Sequence, residues 1–386
     1  MTRTPSRVTK RGSKKKATRR RRSSNTGASV MQTVEETVDD VGTVDAEDEE
    51  KDSQPVQTAT ARDATIPGKQ KRCRGAQPDD ESKALMNAFV DRLSQTGIAG
   101  LQKEYAEIRA TKVLPPVGAA VAFEANKTKN RYQDVPCYDK TRVVLTYNSP
   151  PDPDYIHANW VVDVGPAFKI ICTQGPVNDT VNDFYRMLWQ EKVASIIMLC
   201  RVEENGKVKC AQYWPLGEGE SRQAGTIHVK NVKHNALFDK AFEMTQLEVS
   251  DGKESPITVS MYLWKDWPDK YVPTGGLGIL RMLRYTRAKK DSTCVVHCSA
   301  GIGRTGTVVA LEIIMSKLEA KQPISIPEIV KELRTRRANS VQTETQYIFL
   351  HRVVIEYLQA KGMNRPSIAK FCTEYAAYLK TTQPPA

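Results

Sequence analysis

Cys298 and Arg304 frame a short loop within Val295-Val296-His297-Cys298-Ser299-Ala300-Gly301-Ile302-Gly303-Arg304-Thr305-Gly306. An apolar, β-branched run enters the segment and a helical pattern leaves it. The residues between the two, Ser299, Ala300, Gly301, Ile302 and Gly303, are mostly small. Such a stretch lets the backbone curl into a bowl whose N–H groups point inward. The helix that follows adds its positive end. Arg304 adds a planar fork that matches two oxygens of a tetrahedral oxyanion. A bowl built for anions favours thiolate over thiol, so Cys298 is expected to act as a nucleophile aimed at phosphorus. Thr305 is placed to donate its hydroxyl to that sulfur, and His297 to organise the loop rather than to titrate. The bland alternative is a structural cysteine ahead of a glycine-rich turn, because Cys-x5-Arg alone is a weak pattern.

The run His-Cys-Ser-Ala-Gly-Ile-Gly-Arg-Thr-Gly resembles the signature loop of the classical, phosphotyrosine-specific non-receptor protein tyrosine phosphatases. The resemblance covers about residues 81–360 and includes further motifs in family order. Trp267-Pro268-Asp269 resembles the mobile acid loop, which implies Asp269 as general acid and then base. Asn130-Arg131-Tyr132-Gln133-Asp134-Val135 resembles the phosphotyrosine recognition loop; Tyr132 would stack on the substrate ring and wall a deep cleft, and Asp134 would hold the substrate backbone. Gln342-Thr343-Glu344-Thr345-Gln346 resembles the glutamine loop, with Gln342 aiming water and Gln346 supporting it. In Glu204-Asn205-Gly206-Lys207-Val208-Lys209-Cys210, Glu204 would fix the Arg304 fork and Lys209 would approach Asp269. Three positions depart from the family pattern. Tyr271 stands where glycine usually follows the acid, which bears on loop closure. His157 replaces the usual Asn and Tyr185 the usual Trp; both read as packing changes.

These residues need a scaffold. Strand-like runs at 142–146, 169–173, 195–200, 226–230, 245–249, 258–264 and 294–297 alternate with helical patterns near 179–192, 275–289, 305–320, 326–337, 343–360 and 366–379. Leu85, Met86, Phe89, Val90 and Leu93 fall on one helical face, with Asp79, Asp80 or Ser82 as cap and Gly97 as stop. The expected fold is α/β, one twisted mixed sheet flanked by helices. The expected organisation is a catalytic domain over 79–362 and a C-terminal helix and tail over 363–386.

The 386 residues are 40 % hydrophobic and 26 % charged, enough for a sizeable core. The net charge of +12 is uneven: residues 1–30 hold eleven Lys and Arg and no acid, whereas 31–52 hold ten acids and one Lys. Residues 1–78 are poor in apolar side chains and read as a disordered tail. The basic run at 14–22 fits a contact with an import receptor, nucleic acid or anionic lipid. No transmembrane stretch is expected. Eight cysteines without a signal peptide point to the cytoplasm or nucleus. They form no Cys-x-x-Cys pair, and neither metal nor cofactor is expected. Phosphotyrosine-containing proteins are the implied partners; oligomeric state is not legible. Rival readings are a slow phosphotyrosine trap, a dual-specificity or lipid phosphatase, and a nucleic-acid binder acting through the tail.

Overall fold

The computed structural model describes residues 79–111, 118–162, 165, 168–264, 266–289 and 292–382. The disordered-tail reading of residues 1–78 lies outside them. A nine-stranded sheet organises the rest: β1 Arg142–Val144, β2 Tyr155–Val161, β3 Lys169–Thr173, β4 Val193–Met198, β7 Ser221–Ala224, β8 Ile227–Asn235, β9 Phe242–Ser250, β10 Ile257–Trp264 and β11 Thr293–His297. Its order is β1-β2-β3-β11-β4-β10-β9-β8-β7, while β5 Glu203–Glu204 and β6 Lys207–Val208 form a separate ribbon. The pairs β3/β11, β11/β4 and β4/β10 are parallel and the outer pairs antiparallel. The sheet is therefore mixed, as the sequence predicts. Its parallel centre is covered on both faces, which is why β11 is buried at every position.

The helices are α1 Asp80–Ala110, α2 Val121–Ala125, α3 Val181–Gln190, α4 Leu277–Arg287, α5 Arg304–Glu319, α6 Ile326–Arg336, α7 Glu344–Ala360 and α8 Pro366–Thr382. Asp79 caps α1 by accepting the Ser82 N–H. Gly97 breaks α1 at φ 58°, ψ −179°, as expected of a stop, but the chain turns helical again at once. Leu101, Tyr105 and Ile108 supply the buried stripe of this second segment. The middle of the molecule is α5, buried all round from Arg304 to Met315. Its one acid there, Glu312, is fully buried and meets Arg287 Nε of α4 at 2.8 Å. Helix α8 packs on α1 and α7 through Ile368, Phe371, Tyr375 and Tyr378.

Strand β2 escapes the sequence reading. His157 and Asn159 are polar yet buried, so the run lacks the apolar pattern of an interior strand. The short strands β5, β6 and β7 escape for lack of length.

Candidate active site

The carboxyl ends of parallel strands are where an open sheet leaves room for a ligand. Strand β11 ends there at His297, and Cys298 begins the loop that leads into α5. Each carbonyl of this loop is tied outward. Cys298 O meets His297 Nδ1 at 3.3 Å; Ser299 O accepts from Gly175 N at 2.9 Å; Ile302 O accepts from Val341 N at 2.9 Å. Ala300 O and Gly301 O accept from Arg337 Nη2 and Nε at 3.0 and 3.1 Å. With the carbonyls committed outside, the N–H groups of the loop are left to face inward. Gly301 N–H points at Cys298 Sγ, 3.3 Å away. Gly301 has φ +71°, and a Cβ there would lie 2.0 Å from Thr173 O, so only glycine fits.

Arg304, only 2 % exposed, is held as the Glu204 motif implied. Nη1 and Nη2 each donate to a Glu204 carboxylate oxygen at 2.6 Å, and Nη1 also reaches Leu199 O. Burial opposes the charge, but Glu204 and neighbouring groups more than compensate and push the guanidinium pKa up. Nη2 also lies 3.1 Å from Asp269 Oδ1. Asp269 Oδ2 accepts from Lys209 Nζ at 2.6 Å. Burial alone would raise the Asp269 carboxyl, yet the Lys209 and Arg304 contacts prevail and hold it below the usual carboxylate range. Asp266 is turned away, paired with Arg201 at the surface.

The acid loop is anchored by Trp267, which is 3 % exposed, packs on Trp264 and Phe349, and donates Nε1–H to Tyr271 O at 3.0 Å. Pro268 O accepts from Tyr271 N at 3.2 Å. The left-handed residue of this turn is Lys270, φ 69°, not Tyr271. The missing glycine therefore costs Tyr271 no strain in this conformation.

Tyr132 meets Ser299 Oγ at 2.9 Å, and Ser299 Oγ donates to Lys209 O. Asp134, Tyr132, Ala300, Gly303 and Cys298 line a cleft of about 180 Å³, which Asp269 and Gln342 also border. The recognition loop is pinned by Arg131, whose Nε and Nη2 donate to Gly175 O and Pro176 O. From the far side comes the glutamine loop. Gln346 Oε1 accepts from Gln342 N at 3.0 Å, while its Nε2 is buried without a partner. Both glutamine side chains lie about where a Cβ on Gly303 would point, at 3.0–3.3 Å.

Two sequence expectations need amendment. Thr305 Oγ1 is buried with no hydrogen-bond partner, so the bond to the sulfur is not made; the donor the sulfur does have is Gly301 N–H. His157 is more than a packing change, because both its ring nitrogens are engaged. Tyr185 stays a core residue with one bond, to Tyr213 O. His297 fits its loop-organising reading: Nε2 meets Tyr213 OH at 2.9 Å, and burial lowers its pKa to about 4. Spacing missed Arg337, Asn159, Tyr105 and Thr343. Tyr105 OH donates to Gln342 O at 2.5 Å, and Thr343 Oγ1 to Lys270 O at 3.1 Å.

Comparison with known proteins agrees with this geometry. The family described as protein-tyrosine phosphatase matches residues 126–356. Tyrosine-protein phosphatase non-receptor type 9 of Rattus norvegicus is 36 % identical over 295 residues, covering 71 % of this chain and 49 % of that protein. Tyrosine-protein phosphatase 69D of Drosophila melanogaster is 36 % identical over 280 residues, 70 % of this chain and 19 % of that one. The chain thus spans about half the length, or less, of these curated relatives. The crystal structure of the catalytic domain of human protein tyrosine phosphatase non-receptor type 18 superposes with a TM-score of 0.64 at 32 % identity, covering 70 % of this chain and 99 % of that one. Among the described residues no helix is long and apolar enough to cross a membrane. The chain belongs to the classical protein-tyrosine phosphatase family, with non-receptor members among the proteins it is similar to.

Proposed function

We propose that the chain hydrolyses phosphotyrosine in proteins through a cysteinyl-phosphate intermediate, its catalytic domain lying within residues 79–362. The observation that carries this reading is the convergence on one cleft of Cys298 Sγ, the Glu204-fixed Arg304 fork and Asp269, which lies 3.1 Å from that fork.

The substrate phosphate enters the bowl of N–H groups from Ser299 to Arg304, and the Arg304 fork binds two of its oxygens. Tyr132 stacks on the phenol ring and sets the depth of the cleft, so that shorter phosphoserine and phosphothreonine fall short of Cys298. Asp134 takes the peptide backbone. The sulfur attacks phosphorus in line, an S–P bond forms, and the P–O bond to tyrosine breaks. Asp269 gives its proton to the leaving oxygen, a contribution typically of about 10²–10⁴-fold. In the free protein Lys209 and Arg304 keep this carboxyl ionised. The arriving phosphate competes for Arg304, releases one of those two holds and brings negative charge beside the carboxyl, which takes up a proton from solvent before passing it to the leaving oxygen. In the second step Asp269 takes a proton from water aimed by Gln342 and Gln346. That water attacks phosphorus, and the S–P bond breaks to release phosphate and the thiolate. Arg304 and the loop amides stabilise the equatorial oxygens throughout.

Hydrolysis of a phosphotyrosyl peptide in the presence of a chelator tests the reading, with Cys298→Ser as control. Turnover that survives this substitution overturns the mechanism. For the whole protein, phosphotyrosine-containing proteins of the cytoplasm or nucleus are the proposed substrates. The basic run at 14–22, outside the described residues, is the proposed contact for an import receptor, nucleic acid or anionic lipid.

A further inference from the structure

Arg337 is fully buried, and among the described residues its hydrogen-bond partners include no carboxylate. Its charge is satisfied by neutral acceptors alone. Nε donates to Gly301 O; Nη2 to Ala300 O and His157 Nδ1; Nη1 to Asn159 Oδ1 and His157 Nδ1, all between 2.7 and 3.1 Å. All five N–H groups a guanidinium possesses are thereby used.

The bonds of His157 define its form. Nδ1 faces two arginine N–H groups and can only accept. Nε2 lies 2.8 Å from Val135 O and can only donate. The ring is the neutral Nε2–H tautomer. Burial, and then the Arg337 charge, lower its pKa to about 3, in line with that tautomer. The edge of Phe123 packs against it. One buried imidazole thus joins the recognition loop, through Val135, to the arginine behind the phosphate loop.

The consequence runs through a single peptide plane. The bond between Ala300 and Gly301 has its carbonyl on Arg337 Nη2 and its N–H on Cys298 Sγ. Gly301 has no Cβ to resist a flip of that plane, so the clamp on the carbonyl keeps the N–H inside. We infer that His157 is a positioning residue for the phosphate loop: by accepting both prongs of Arg337 it sets the guanidinium that holds the 300–301 peptide with its N–H toward the nucleophile. The inference rests on the proposed phosphatase reading of this loop.

The experiment compares the full chain with His157→Asn and His157→Leu. An amide keeps one acceptor for Arg337 and one donor for Val135; leucine keeps neither and leaves a buried cationic donor unsatisfied. The readouts are kcat and KM on a phosphotyrosyl peptide, the inhibition constant of inorganic phosphate, and thermal melting. In His157→Leu, KM and the phosphate constant are expected to rise about tenfold with kcat changed far less. His157→Asn is expected to stay within about twofold on all three. A folded His157→Leu with unchanged phosphate inhibition overturns the inference, and so does a loss in His157→Asn equal to that in the leucine variant. If the leucine variant does not fold, the ring nitrogens of the unmodified chain decide by NMR. The Nε2–H tautomer, with an Nδ1 signal that moves on saturation with inorganic phosphate, supports the role; an imidazolium, or an Nδ1 blind to phosphate, overturns it. A wild-type chain that neither binds phosphate nor turns over refutes the phosphatase reading itself.

Discussion

At the scale of single residues, the sharpest dependence in the site is that of Arg304 on Glu204. Two bonds of 2.6 Å fix the plane of the fork, and among the described residues the other carboxylate within ion-pair reach of it is Asp269. Glu204→Gln keeps the shape but loses the charge and one acceptor. We expect kcat/KM to fall by about two orders of magnitude, as for a misplaced positioning group, with melting little changed. Steady-state kinetics on an aryl phosphate check this; a loss below fivefold means the fork is held by Leu199 O alone. Cys298 and Arg304 were legible because chemistry and close spacing coincide in them, whereas Asp269 was legible only through the resemblance of Trp267-Pro268-Asp269 to a known loop. His157, Asn159, Arg337 and Tyr105 were not. They act on backbone carbonyls far away in the chain, and a carbonyl leaves no signature in the sequence. Arg337 and His157 are 180 positions apart.

At the scale of elements, the acid loop is one of the segments that carry backbone strain. Lys270 sits at φ 69°, a conformation that costs an L-residue roughly 1–2 kcal/mol. Its carbonyl is fastened to Thr343 Oγ1, which also caps α7 by accepting the Gln346 N–H. In this conformation the loop therefore sets strain at Lys270 against a bond at the start of the glutamine helix. Lys270→Gly should favour the closed loop and raise kcat by a factor on the order of three. Tyr271→Gly, which relieves no strain here, should change it less. Pre-steady-state kinetics separate the two; equal effects would mean that the strain is not felt in turnover. The order of strands and helices was largely readable from periodicity. What failed was β2, where burying His157 and Asn159 erased the apolar pattern, and the second half of α1, where a new helical segment follows the break at Gly97 at once.

At the scale of the molecule, three histidines share one fate. Burial lowers the pKa of His157 to about 3, of His297 to about 4 and of His351 to about 3. In each the folded value lies below the unfolded value of about 6.5, so the unfolded chain binds more protons as the pH falls. The stability they confer is present above pH 6.5 and is lost on acidification toward 3 to 4. One unit below 6.5, the three together remove about 4 kcal/mol. Urea unfolding at pH 7.5 and 5.5 tests this, and His351→Phe should reduce the loss by about a third. A flat profile would mean that these rings are charged in the folded protein.

The guanidinium of Arg337, closed in by neutral acceptors, has a practical side. Its charge adds to the positive field that the bowl of amides and Arg304 offer an anion, and among the described residues its hydrogen-bond partners include no carboxylate. Tetrahedral anions from the medium are drawn into that bowl. Sulfate or phosphate buffers should therefore make the protein melt later while making it work more slowly, and a stability ranking made in such a buffer will not order variants as one made in a zwitterionic buffer does.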